Sequence, residues 1–375
     1  MKNPFKQFFP KTNVFQDSGN GSAVGVDIGS SAIKVVELRK KGGKAVLETY
    51  GAISLGPYVS LDVGRTTNLP VDKLTEALKE VLKQSGVTSK SAALSIPVQS
   101  SLIFTIELPP QIKDSEISEI IPVEARKYIP VPISEVSLDY FLLPEKEPTF
   151  EEMHNPENST QNTDKKRVLV VATQNDAVSR ARSIVSQCDL SSSFFEIEVF
   201  SSVRSNFEHE LSLVLLIDFG ALYTKLSLVE FGMVKGYHTI NRGGANISDA
   251  IAKSLDVTFS EAEKMKKEFG LFGNPADKNL AEIIKVHVDY IFSEVNNMVL
   301  SYEKKYNKSI SKVILSGGGA LLKGLKELAA DNFRAEIELG HPFSKVDAPP
   351  FLDKVLLTMG PEFAVSIGLA LRKLQ

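Results

Sequence analysis

An apolar strand broken by Asp-x-Gly and followed by a second strand occurs twice in this chain, and the repetition narrows the folds open to it. The first copy is an apolar run at 23–26, then Asp27-Ile28-Gly29-Ser30-Ser31, then Ile33-Lys34-Val35-Val36-Glu37-Leu38. The second is Leu215-Leu216-Ile217-Asp218-Phe219-Gly220-Ala221, returning through Thr224-Lys225-Leu226. Superposing Asp27 on Asp218 places Gly29 on Gly220 and Lys34 on Lys225. Strands joined through such a turn predict β-hairpins, and two copies predict related half-domains facing one ligand. A tip of Gly and two Ser presents N–H groups and hydroxyls that suit an anion. The Asp beside it would repel a bare phosphate, so a divalent cation belongs between them; Mg²⁺ takes carboxylate, water and phosphate oxygens. A single Asp-x-Gly turn would be an ordinary surface hairpin. The second copy makes a ligand site the better reading.

The chain has 375 residues, enough for more than one domain and a sizeable core. A net charge of −3 with both signs interspersed gives no pull towards nucleic acid or anionic lipid. A lone cysteine, Cys188, excludes an internal disulfide framework and suits a reducing compartment. No apolar run approaches bilayer length, and Lys2 and Lys6 precede no secretory apolar core. These features place the chain in the cytoplasm.

Along the chain, residues 1–22 mix Phe with Lys, Gly and Asn and are expected to form a flexible tail. A strand at 45–55 follows the first hairpin, then a helix on Val71, Leu74, Ala77, Leu78 and Val81, opened by Pro70 and closed by Gly86. Residues 92–96, 102–108, 136–143 and 168–172 read as strands. Asp114 is expected to cap a helix carrying Ile117, Ile120, Ile121, Ala125 and Tyr128, kinked or broken at Pro122. Residues 144–167 lack Leu, Ile and Val and read as a disordered hairpin tip. Helices are expected at 176–187, at 196–207, after Gly243-Gly244 up to Leu255, from a Ser260 cap onwards, along Ile283 to Tyr302, at 320–330 and at 361–373. Gly243 and Gly244, at a helix start, suit a phosphate. The expected order is a tail at 1–22, a first lobe at 23–97, an inserted subdomain at 98–190 and a return at 191–210.

The third ligand signal is the strand Lys312-Val313-Ile314-Leu315 running into Ser316-Gly317-Gly318-Gly319. Glycines there let backbone approach a ligand closely. In this order the three signals resemble the actin-like ATPase superfamily, two ribonuclease-H-like lobes in an α/β fold, here with an FtsA-type subdomain inserted at 98–190. The resemblance implies a second lobe at 211–255 and 310–360, a smaller subdomain at 256–309 and a closing helix at 361–375 that returns to the first lobe. Asp27-Ile28-Gly29-Ser30-Ser31 is similar to its first phosphate loop and Asp218-Phe219-Gly220-Ala221 to its second. Ser316-Gly317-Gly318-Gly319 is similar to the adenosine motif. Ala262-Glu263-Lys264-Met265-Lys266 is similar to the helix whose Glu and Lys meet ribose and base, although a Lys-rich run is ordinarily a solvated face. Within that superfamily the chain resembles the PilM family, FtsA-like proteins of type IV pilus assembly. The matching residues are 26–38, Glu124-Ala125-Arg126-Lys127-Tyr128-Ile129-Pro130, Val136-Ser137-Leu138-Asp139-Tyr140 and Ile367-Gly368-Leu369-Ala370-Leu371-Arg372.

The resemblance implies ATP with Mg²⁺ in a cleft between lobes, the ion held through water by Asp27 and Asp218. Gly29, Ser30, Ser31, Lys34, Gly220, Ala221, Gly243 and Gly244 would meet the phosphates. Glu263, Lys266, Gly317, Gly318 and Gly319 would hold the nucleoside, and Glu198 would position an attacking water. Ala221-Leu222-Tyr223 departs from the Gly/Thr-rich turn of fast relatives, which implies slow hydrolysis at most. The resemblance further implies a scaffold at the inner face of the cytoplasmic membrane that binds the cytoplasmic N-terminal peptide of a PilN-like bitopic partner. Its groove is expected between the first lobe and the 98–190 subdomain, near Tyr128-Ile129-Pro130-Val131-Pro132. Other pilus platform or motor proteins and self-association are further partners of that class, and related secretion or competence machines remain alternatives. A small-molecule kinase of the same superfamily would need an acceptor base, and none is recognisable. An FtsA- or MreB-like filament protein is the other alternative. Asp218-Phe219-Gly220 spells a protein-kinase motif without its companions, no G-x-x-x-x-G-K-[ST] occurs, and the five histidines lack metal-ligand spacing.

Overall fold

A computed structural model describes residues 21–143, 165–208, 212–274 and 279–375. The tail expected over 1–22 and the loop expected over 144–167 fall outside these residues except at their ends, where Ser22 already opens a strand and Lys166 and Arg167 begin another. Among the described residues the chain divides into two compact units, residues 96–182 and residues 21–95 with 183–375.

The larger unit contains two five-stranded sheets of the same topology. The first is built from β1 (Ser22–Ile28), β2 (Ala32–Lys41), β3 (Lys44–Ser54), β4 (Ser91–Ile96) and β8 (Ser191–Ile197), in the order β3-β2-β1-β4-β8. The second uses β9 (Val214–Phe219), β10 (Thr224–Glu230), β11 (Met233–Ile240), β12 (Lys312–Ser316) and β13 (Glu336–Leu339), in the order β11-β10-β9-β12-β13. Each begins with an antiparallel meander and then adds a parallel strand beside the first, β4 on β1 and β12 on β9. The repeat seen in the sequence is therefore a repeat of whole sheets, with β1 and β9 in equivalent places.

Helices follow from the apolar periods. They are α1 (Val71–Gln84), α2 (Ile117–Ala125), α3 (Asn175–Gln187), α4 (Glu198–Asn206), α5 (Gly244–Leu255), α6 (Phe259–Phe269), α7 (Asn279–Tyr306), α8 (Leu325–Asn332), α9 (Asp353–Met359) and α10 (Ala364–Leu374). One core joins Leu215, Ile217, Leu226 and Leu228 of the second sheet to Ile247 and Ile251 of α5 and to Ile284, Val288, Ile291 and Val295 of α7. The α7 residues recur at helical spacing, as burial of one face requires. On the first sheet, Val36, Leu38 and Leu47 pack with Phe363, Ile367 and Ala370, so the last helix belongs to the core of the first strands. This approach depends on missing side chains. A Cβ at Gly25 of β1 would stand 1.9 Å from the Ser366 carbonyl oxygen, and one at Gly368 would stand 1.9 Å from that of Ser201.

Beneath α10 lies a buried ion cluster. Glu196, at the end of β8, is fully buried; the Arg204 guanidinium donates to both its oxygens at 2.7 Å, and Arg372 and Ser201 donate to them as well. Burial alone would raise the Glu196 carboxyl, but the two guanidinium groups hold it below the ordinary carboxylate range. Arg204 also donates to the Gly368 carbonyl at 3.0 Å, tying α4 to α10.

The smaller unit is a three-stranded antiparallel sheet, ordered β5 (Ser101–Leu108), β7 (Lys166–Gln174), β6 (Val136–Leu142), with α2 against it. Its core is Ile106, Leu108, Ile117, Ile121, Ala125, Ile129, Val168, Val170 and Ala172. Ile129 is core, whereas the neighbouring Tyr128 is half exposed and stacks on Phe104 at a centroid distance of 4.9 Å.

Several local expectations change. Asp114 does not cap α2; its carboxylate accepts from Lys166 at 2.5 Å, and Glu116 takes the cap position with its carboxylate accepting from Lys113 N at 2.9 Å rather than from the helix. Pro122 sits inside α2, which continues to Ala125 and leaves Tyr128 beyond its end. Thr258, not Ser260, caps α6, because only Thr258 stands three residues before Glu261 and closes the reciprocal capping box. Glu196 and Ile197 are the last residues of a strand, and the helix expected at 196–207 starts at Glu198. The helix expected at 320–330 is a short 3₁₀ turn followed, after Gly324, by α8. Residues 350–374 form an apolar, helical stretch long enough to cross a bilayer, contrary to the reading that no run approaches that length; 61% of its most apolar window is buried within the fold.

Candidate functional site

The site grows from the ends of β1 and β9. In each copy the turn is closed by the glycine N–H donating to the carbonyl three residues on, Gly29 to Ala32 at 3.0 Å and Gly220 to Tyr223 at 2.9 Å. The hairpin register sets Asp27 opposite Lys34 and Asp218 opposite Lys225. The charges meet across the pair, Lys34 Nζ lying 3.6 Å from Asp27 and Lys225 Nζ 3.4 Å from Asp218. Asp27 is buried and accepts from Ser95 Oγ of β4 at 3.1 Å.

The second turn carries a further acid. Glu198 opens α4, where the helix dipole favours a carboxylate, and accepts from Lys225 Nζ at 2.6 Å. Burial pushes the Lys225 ammonium towards neutrality, but Glu198 and Asp218, with a smaller pull from Asp27, raise it well above the ordinary lysine value. Lys225 thus stays charged among three carboxylates. Burial pushes the nearby Tyr237 hydroxyl up, and Glu198 and Asp218 add to that against the opposing Thr239 hydrogen bond and Lys225 charge.

The glycines fit around Asp218. Gly317 follows β12 with a φ of +79°, and a Cβ there would stand 2.2 Å from Asp218 Oδ1. Gly319 is pressed against Phe219, where a Cβ would stand 2.7 Å from that of Phe219; at Gly318 it would meet only Glu362, at 3.5 Å. Packing against β9 therefore accounts for two of the three glycines, and Gly318 has the most room around it. Gly244 N donates to the Gly220 carbonyl at 3.0 Å and Ala245 N to that of Ala221 at 2.9 Å, which docks the start of α5 on the second turn.

Glu263 and Lys266 of α6 complete the group. Lys266 Nζ donates to Glu263 at 2.6 Å, to Ser248 Oγ at 2.8 Å and to the Gly244 carbonyl at 2.8 Å, and Ser248 donates to Glu263 at 2.5 Å. Burial lowers the Lys266 ammonium; burial alone would raise the Glu263 carboxyl, but Lys266 and Ser248 bring it below the usual range. Lys266 therefore leaves the Lys-rich face of α6 for the interior, while Lys267 remains on the exposed side.

The fold thus brings Asp218, Gly220, Ala221, Gly243, Gly244, Glu263, Lys266, Gly317, Gly318 and Glu198 together around β9, and Asp27, Gly29, Ser30, Ser31 and Lys34 at the equivalent turn of β1. Sequence reasoning aligned Lys225 in the repeat without placing it in the site. Its position opposite Asp218 was the available signal. Ser95, Ser248 and Tyr237 carry no motif and are found only by folding. Among the described residues no group of three or more His, Cys, Asp or Glu forms a ready-made metal cage. Two carboxylates at equivalent turns suit an ion that keeps most of its water.

A duplicated sheet with a carboxylate turn in each copy defines the class: this is an actin-like α/β protein. The chain aligns with the cell division protein FtsA of Staphylococcus epidermidis at 24% identity, over 91% of this chain and 79% of that one. It superposes on the structure of a PilM-PilN type IV pilus biogenesis complex with a TM-score of 0.77 at 25% identity, covering 94% of this chain and 98% of the other. The ethanolamine utilization protein EutJ of Carboxydothermus hydrogenoformans shares the fold with a TM-score of 0.53 at 15% identity, over 95% of this chain and 91% of that one. The model for type IV pilus assembly protein PilM matches residues 25–374, and the chain belongs to that family.

Proposed function

We propose that this type IV pilus assembly protein is an ATP-binding scaffold at the inner face of the cytoplasmic membrane, where it binds the cytoplasmic N-terminal peptide of a PilN-like membrane partner. The observation that carries the nucleotide reading is the pair of equivalent turns, each with an Asp opposite a Lys, and Gly317 set against the second Asp. Asp27 and Asp218 would hold Mg²⁺ through water. Gly29, Ser30, Ser31 and Lys34 would meet the phosphates from one side, and Gly220, Ala221, Gly243 and Gly244 from the other. Glu263, Lys266, Gly317, Gly318 and Gly319 would hold the nucleoside. When bound, the ion would neutralise phosphate charge beside the two carboxylates.

Fast hydrolysis is not part of this reading. Glu198, which would be the residue to orient a water, is engaged by Lys225 at 2.6 Å, and Ala221-Leu222-Tyr223 offers no aliphatic hydroxyl at the turn. Wild-type protein should bind Mg·ATP in a calorimetric titration yet release phosphate well below the ~1–10³ s⁻¹ typical of enzymes. Enzyme-like turnover without any partner would refute the scaffold reading.

The partner reading is supported by the similarity to a PilM-PilN complex and by the smaller unit, whose β5 and β6 flank the central β7 and whose Tyr128 is half exposed. An edge strand and an apolar rim suit an extended peptide. Tyr128→Asp should abolish capture of the partner's N-terminal peptide while leaving Mg·ATP binding and melting temperature near wild type. Capture undiminished in the folded variant would place the groove elsewhere.

A further inference from the structure

Residues 55–70, between β3 and α1, join the two halves of the proposed nucleotide site. Two backbone bonds tie this loop to the first turn, Leu55 N to the Ser31 carbonyl at 2.9 Å and Thr67 N to the Ser30 carbonyl at 2.8 Å. Its middle reaches α5 and α6. Arg65 Nη1 lies 2.6 Å from Asp249 Oδ1 of α5, and its guanidinium sits 3.8 Å from the ring centroid of Phe259, a buried residue of α6. Gly64, with a φ of +90°, passes so close to Glu263 that a Cβ would stand 3.1 Å from its carboxyl carbon. The elements assigned to phosphate and to nucleoside are thus bridged by one loop, far from both in sequence.

We propose that residues 55–70 are a strap over the nucleoside triphosphate and that Arg65 is a positioning residue whose latch to Asp249 and Phe259 must open for the nucleotide to exchange. The inference rests on the ATP-binding reading above. The two partners of the ion pair are only about two-thirds buried, with side-chain exposures of 36% and 39%. Such a pair opens readily and is weakened by salt. Phe259 adds a cation–π contact that holds the guanidinium in register when the pair re-forms. The strap therefore retards exchange without sealing the site.

The test is release of radiolabelled ATP with Mg²⁺, chased by excess unlabelled ATP and read by rapid filtration. Arg65→Ala and Asp249→Arg should each release label about tenfold faster than wild type, which corresponds to about 1.4 kcal/mol. Raising the salt should speed release from wild type more than from Arg65→Ala. The charge-exchanged double variant Arg65→Asp/Asp249→Arg should regain much of the slow release, which also shows that the single variants had not merely unfolded. Wild-type release rates in Arg65→Ala, or no recovery in the double variant, would overturn the strap alone. Failure of wild type to retain any label would overturn the nucleotide reading and the strap with it.

Discussion

Glu196→Ala should destabilise the larger unit by about 3–5 kcal/mol, the usual cost of removing one partner from a buried ion group. Two guanidinium groups, of Arg204 and Arg372, converge on this fully buried carboxylate. Its loss would leave both charges in the interior and loosen the tie between α4 and α10. Urea unfolding at neutral pH would measure the loss, and an unchanged midpoint would show the cluster to be dispensable. The same carboxylate carries a pH signature. Its folded-state pKa lies below that of the unfolded chain, because the arginines overcome the cost of burial. Its contribution is therefore complete above the ordinary carboxylate range and is lost as pH falls towards the folded value. Wild type should lose stability over that acid interval, and Glu196→Gln should lose less.

Asp27→Ala should weaken Mg·ATP binding by at least about tenfold, since bonds to charged groups contribute about 1.5–3 kcal/mol and 1.4 kcal/mol is tenfold. The variant also releases Lys34 from its ion pair and adds one positive charge to the turn. ATP without metal should therefore bind at least as well as before, and the advantage conferred by Mg²⁺ should shrink. Calorimetric titrations with Mg²⁺ and with a chelator separate the two effects. Asp218→Ala should act in the same direction but less strongly, because Lys225 keeps Glu198 as a second partner. Wild-type Mg·ATP affinity in Asp27→Ala would remove the first turn from the site.

How much of this could be read from the chain depended on sequence distance. The carboxylate turns and their cross-strand lysines were legible because a hairpin compresses their geometry into eight consecutive residues. The long stripe of α7 was legible because one face repeats over many turns. Strands β8, β11 and β13 were missed. β8 opens with three serines and β11 is interrupted by Gly236 and His238, so neither shows a clear alternation, while β13 alternates as Glu-Ile-Glu-Leu over four residues only, too short a run to stand out. Thr258 and Ser260 are both competent caps, and only the glutamate three residues on separates them. The contact of Arg65 with Asp249 spans 184 positions and has no local signal at all. The inward turn of Lys266 was suggested by resemblance, whereas its neighbours on the chain gave the opposite expectation.

The helix laid across Gly25 has a consequence for how the protein is made. Among the described residues, the first strand to be synthesised is covered by α10, the last helix, and the sheet face that bears Gly25 cannot be sealed until that helix is made. The second sheet, whose core is drawn from residues between Leu213 and Ile337, can close over that core earlier. The nascent chain is thus expected to carry a finished half and an open half together. Such long-range closure is slow and leaves apolar strands uncovered meanwhile, so the docking of residues 364–374 is expected to be a late step at which the chain is exposed to aggregation.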